Sequence, residues 1–203
     1  TQRKITSQIK NTIKTNTFLR NRFAIKKLFL QNGILVDRKI KSHFDTSREV
    51  YSVDNIQKGD AIQFISTNLT KGNYLYIISQ DPNNKITVNW PQQEELLNRK
   101  IIKKNLIKNS YLTIPGKDEA MQKSTSGQET ILVLSSRKEL DITKIISDFE
   151  LNHPNKSVGN TNLLLKSGLV DQNKIEYVPN VIEASTTAID HNHYILPITI
   201  QIN

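Results

Sequence analysis

The chain contains no cysteine, which excludes disulfides, thiolate zinc sites and a cysteine nucleophile. That absence says little about compartment, because many periplasmic proteins also lack cysteine. Glycine is scarce too. Its seven residues never adjoin one another, so no glycine-rich loop is available to cradle a phosphate. The nucleophile-elbow pattern Gly-x-Ser-x-Gly is missing, and Ser124-Thr125-Ser126-Gly127 reads as a hairpin turn. No apolar run approaches the roughly 20 residues that a membrane-spanning helix requires. No secretory h-region precedes the first basic residues, so either the chain is cytoplasmic or a targeting segment before Thr1 has been removed.

Acidic residues are nearly absent from the first part of the chain. Residues 1–45 hold eleven Lys and Arg against Asp37 and Asp45, while residues 46–203 balance seventeen basic with seventeen acidic side chains. The whole net charge of +9 therefore belongs to the N-terminal segment. Lys, Asn and Ile are abundant throughout, so part of this basicity fits an A/T-rich coding bias.

What the chain has in quantity is short alternating segments. Between Gly59 and Asp141 they run GDAIQFIS, GNYLYIIS, KITVNWP, NSYLTIPG and GQETILVLSS, separated by Gly, Pro, Asn and Asp turns. Period-two alternation between such turns predicts an antiparallel sheet folded on itself, and no βαβ rhythm appears. Tyr74–Ile78 is apolar on both faces and reads as a central strand. Ile86, Val88 and Trp90 alternate with Lys85, Thr87 and Asn89, giving one buried and one wet face. The aromatics Tyr74, Tyr76 and Trp90 read as core, because no basic residues interleave with them as a nucleic-acid face would require.

The expected organisation has three parts. Residues 1–44 form a basic arm, read as helical, in which Ile5, Ile9 and Ile13 recur every fourth residue. A denser patch of Phe18, Phe23, Ile25, Leu28, Phe29 and Leu30 follows, interrupted by Arg20, Arg22, Lys26 and Lys27. Asn32-Gly33 ends it as a turn, and Ile34, Val36, Arg38 and Ile40 alternate as a strand. Residues 45–141 form a β-sandwich, with a helical turn at 94–99. Residues 142–203 start with a helix capped by Asp141 and continue with a second short helix around Leu163–Leu169. They end in an alternating strand, Tyr194 to Ile202, that Pro197 marks as an edge strand or a bulge. The fold class is thus mainly β: an antiparallel β-sandwich with an N-terminal helical arm, C-terminal helices and an edge strand, α+β overall.

The ordered set Tyr74-Leu75-Tyr76, Trp90-Pro91, Ile114-Pro115 and Gly127-Gln128-Glu129 before Ile-Leu-Val-Leu-Ser-Ser resembles a bacterial domain family of unknown function. That family occurs in envelope proteins and lipoproteins, and is appended to serine/threonine kinases and caspase-like peptidases. The resemblance covers about residues 45–141. It departs from the family pattern at Trp90, where Phe is usual, and at Gln92, where Asn is common. It implies an accessory β-sandwich without catalytic residues, in the periplasm or cell envelope.

Candidate sites are few. His191 and His193, two apart, would share a strand face and reach one metal, but no third ligand is adjacent. Arg20, Arg22, Lys26 and Lys27 are candidates for contact with an anionic partner, and Phe18, Phe23 and Phe29 for contact with a protein partner. Leaving Phe18, Phe23, Leu28 and Phe29 in water would forgo about 1.5–3 kcal/mol each. They are therefore expected to be buried, on this chain's sheet or on a neighbouring subunit. The expected function is a non-enzymatic structural or protein–protein interaction module of a bacterial envelope-associated assembly, such as a secretion system or motor scaffold. It requires no cofactor and has no evident small-molecule substrate. Its expected partners are other protein subunits, with an acidic membrane surface as a further contact and nucleic acid disfavoured. The alternative is an anionic-surface or nucleic-acid binder working through the basic arm.

Overall fold

A computed structural model describes residues 19–32, 34–47, 50–91, 106–152, 182–186 and 194–203. The strands are β1 (Leu19–Gln31), β2 (Ile34–Lys39), β3 (Ser42–Asp45), β4 (Val50–Ile56), β5 (Ala61–Thr67) and β6 (Tyr74–Gln80). They continue with β7 (Ile86–Trp90), β8 (Tyr111–Ile114), β9 (Met121–Gln122), β10 (Gly127–Ser136), β11 (Ile182–Thr186) and β12 (Tyr194–Ile202). Among the described residues one helix, α1 (Ile142–Asn152), lies between β10 and β11. The protein is mainly β, and its strands form two six-stranded sheets, neither closed into a barrel.

The first sheet runs β11-β1-β5-β8, with β2 beside β1 and β9 beside β5. The second runs β3-β4-β12-β10-β6-β7. Alternation along the strands sends one set of side chains from both sheets into a single core. Phe23 and Ile25 of β1 and Ile62 and Phe64 of β5 meet Leu75, Ile77, Ile131, Val133, Leu196 and Ile198 there. Phe23 and Phe64 pack with ring centroids 5.8 Å apart. The opposite faces of β6 and β10 carry Tyr76, Ile78, Leu132 and Leu134, which α1 covers with Ile142, Ile145 and Ile146. Burial on both sides explains why those two strands read as unbroken apolar runs. The α1 N-terminus is capped as its sequence predicts: Asp141 accepts a hydrogen bond from the Lys144 amide at 3.1 Å.

Three expectations are corrected. Residues 19–31, read as part of a helical arm, form a thirteen-residue strand. Asn21, Phe23 and Ile25 are buried while Arg22 between them is exposed, a period of two. Pairing with β5 on one edge and with β11 and β2 on the other outweighs the local helical spacing. Residues 1–18 of that arm lie outside the described residues, as do the turn at 94–99 and the helix around Leu163–Leu169.

The second correction concerns β12, which is an interior strand between β10 and β4, not an edge. The parallel ladder to β4 begins at Ile198, one residue past Pro197. Proline removes a single donor, whereas an interior position buries Leu196, Ile198, Ile200 and Ile202, each worth about 1.5–3 kcal/mol. Burial wins. Third, the sheets are not purely antiparallel, because β12 pairs β4 in parallel. Most of the chain separates the two strands in sequence, which supplies the long crossover that parallel neighbours need.

Candidate interaction surface

The β1–β2 hairpin leaves the body of the first sheet. Its turn passes through Asn32 at φ 54°, the left-handed conformation that an Asn-Gly hairpin turn uses. Leu30 pairs Leu35, Phe29 pairs Val36, and Leu28 pairs Asp37. On its other edge β1 pairs β5 only as far as Leu28, opposite Ala61. The three residues Phe29–Gln31 and their partners therefore run past the end of β5, a projection of roughly 10 Å at about 3.4 Å per residue. Leu30 is 73% exposed and Ile34 67% exposed, two of the large apolar side chains most open to solvent among the described residues. Phe29 and Val36 behind them are half-buried.

Cations encircle the base of this apolar end. Lys26 faces Lys39 and Lys27 faces Arg38 in the hairpin register. Like charges directly opposite one another destabilise a strand pair. Two carboxylates relieve part of the repulsion: Asp37 takes Lys26 at 2.7 Å and Asp60 takes Lys27 at 2.6 Å. Arg38 and Lys39 are exposed, and among the described residues no ion pair reaches either. The surplus positive charge of the hairpin is therefore carried by its outer strand.

The remaining sequence candidates fall elsewhere. Phe23 is buried in the core, which removes it from any contact surface. Arg20 sits in β1 opposite Ser185, and Arg22 is exposed between Thr67 of β5 and Glu183 of β11. Phe29 is the candidate aromatic that lies on the hairpin. Phe18, His191 and His193 lie outside the described residues. Among the described residues no three His, Cys, Asp or Glu side chains converge as a metal site. Leu30, Ile34, Arg38 and Lys39 were not singled out as a site from the sequence. The signal is present, since Asn-Gly between two apolar runs marks a hairpin, but a helical reading of Leu28–Leu30 hides it.

Two groups of buried polar side chains in the sheets are satisfied internally, whereas the Asn89 Nδ2 and Trp90 Nε1 atoms of β7 have no hydrogen-bond partner among the described residues. Lys123 and Glu129 form a two-pronged pair at 2.8 and 2.7 Å with both side chains almost wholly buried. The Gln63 amide nitrogen lies 3.0, 3.0 and 2.7 Å from the carbonyl oxygens of Gly116, Lys117 and Glu119, tying that loop to β5. These are structural bonds, each group being committed to a partner. In comparisons with known proteins, no family model, no curated protein and no solved structure matches this chain.

Proposed function

We propose that this chain is a non-enzymatic interaction module, a β-sandwich serving a larger bacterial envelope-associated assembly of the secretion-system or motor-scaffold kind. The contact element in this reading is the β1–β2 hairpin. One observation carries it: an apolar hairpin end, ringed by cations, stands outside the shared core with Leu30 and Ile34 in solvent. An isolated soluble domain gains nothing from such an end, and exposed apolar clusters rimmed by polar groups mark interaction sites. The order of Trp90-Pro91, Ile114-Pro115 and Gly127-Gln128-Glu129 supports the envelope setting, through the resemblance it carries.

A photo-crosslinking side chain at Ile34, introduced in the native cell, tests this. Adducts are expected from position 34 and not from Leu151, an equally exposed position on α1. Absence of adducts at 34, or turnover of a broad hydrolase or transferase panel by the purified protein, overturns the reading.

A second reading, an anionic-surface or nucleic-acid binder acting through the basic segment, is favoured by the facing pairs Lys26–Lys39 and Lys27–Arg38. Contact with phosphates by counterion release weakens steeply as salt rises. Binding to DNA or acidic lipid that does not change with salt would remove this reading.

A further inference from the structure

We infer that the β1–β2 hairpin is a wedge for an anionic lipid surface: its aliphatic end enters the headgroup–acyl boundary while Arg38 and Lys39 sit among the lipid phosphates. The inference rests on the proposal that the hairpin is the contact element, and it names the partner.

Three observations select lipid. The first is depth. The end projects roughly 10 Å past β5, and interfacial elements bury their apolar faces about 5–10 Å deep. Greater depth is barred, since among the described residues β2 pairs β1 alone and its outer backbone edge would meet hydrocarbon without hydrogen-bond partners. The second is the order of chemistry along the hairpin. Gln31–Ile34 closes the turn, Leu30–Leu35 and Phe29–Val36 follow it, and Lys27–Arg38 and Lys26–Lys39 lie two and three pairs behind Phe29–Val36. An apolar tip followed by a cationic collar is complementary to an acyl layer followed by phosphates.

The third observation is size. A two-stranded end about 10 Å long and about 10 Å wide falls well short of the roughly 800 Å² that each partner buries in a stable protein contact. Nucleic acid fits less well, because Leu30 and Ile34, the exposed apolar side chains of the end, are aliphatic and offer no planar group to stack on a base.

The full chain is to be mixed with vesicles of phosphatidylcholine, with and without phosphatidylglycerol, at low and at physiological salt. Binding is expected only to the anionic vesicles, weakening as salt rises. Arg38→Glu with Lys39→Glu should lose more than about 25-fold, each cation being worth roughly fivefold near an anionic surface. Leu30→Ser with Ile34→Ser should lose at least about tenfold, through the apolar area no longer transferred. Both pairs are solvent-exposed, and an unchanged circular dichroism melt establishes that the fold survives.

In the variant Leu30→Trp, emission should shift blue on anionic vesicles and be quenched by brominated acyl chains. This reports insertion even if a double variant misfolds. The inference is overturned if the wild type does not prefer anionic vesicles, or if duplex DNA binds more tightly. It is equally overturned if the Leu30 and Ile34 changes leave binding intact, or if the new tryptophan stays unquenched. Protein adducts from Ile34 in cells, without vesicle binding, would remove the lipid partner and leave the interaction module standing. No adducts and no vesicle binding would remove both.

Discussion

At the scale of single residues, the buried pair Lys123–Glu129 is a sharp dependency. Each side chain is at most 7% exposed, and each neutralises the other at 2.7 Å. Lys123→Met would strand the Glu129 carboxylate inside the protein, which costs about 3–5 kcal/mol. Removing both charges with Lys123→Met and Glu129→Leu should recover most of that loss, because a well-packed apolar replacement is often neutral. Urea unfolding of the single and double variants checks the expectation. Equal losses in both would mean that shape, and not charge, holds the site. Gly127 is a different kind of constraint. It opens β10 at φ +122°, and a Cβ there would lie 2.8 Å from Cβ of Pro82 in the β6–β7 turn. Gly59 also has a positive φ of +94° but meets nothing within 4 Å. Gly127→Ala should therefore destabilise by about 1–3 kcal/mol more than Gly59→Ala, since it adds steric overlap to backbone strain. Matched thermal melts decide, and equal shifts would show that the Pro82 ring simply moves away.

At the scale of elements, β2 and β12 invert what their sequences suggest. The hairpin strand β2 is rich in apolar residues, yet part of it stands in solvent. The proline-bearing β12 runs through the middle of a sheet. Ile34 and Ile198 make the contrast measurable, because the same side chain is 67% exposed in one and 0% in the other. Ile198→Ala should cost about 2–5 kcal/mol, as expected for a truncation in a closed core. Ile34→Ala should stay within about 0.5 kcal/mol of wild type. Denaturant midpoints at constant slope test both. A small effect at Ile198 would mean that β12 does not hold its central position.

At the scale of the whole molecule, the two sheets share a core to which the first described strand and the last both contribute. Neither sheet can bury its apolar face without the other, so unfolding should be a single cooperative event. Trp90 provides an internal reporter, as the lone tryptophan and a member of that core. Its emission should shift red at the same urea concentration at which the far-ultraviolet signal is lost. Separate midpoints would show that the sheets unfold as independent units. Charge is also partitioned at this scale. The net positive charge resides in the first 45 residues, and the outer strand of the projecting hairpin carries part of it.

The sequence by itself determined the local features set by near neighbours. The strands β5, β6, β7, β8 and β10 and the strand at Tyr194–Ile202 follow from alternation and turn residues, whereas the two-residue β9 does not. The Asp141 cap follows from a short side chain placed before an apolar helical stripe. Burial of Trp90 follows from its place on an alternating face. Tertiary structure decided what depends on partners distant along the chain. Residues 19–31 carry apolar spacings that suit a helix or a strand, and pairing with β5 and β2 resolves that ambiguity. Pro197 signals an edge locally, but β4 and β10 close around it from opposite ends of the sequence. The hairpin's exposure depends on where β5 stops, a length that nothing within residues 19–39 encodes. Alternation reports which side of a strand is buried. Only the assembled sheets determine which strands have neighbours.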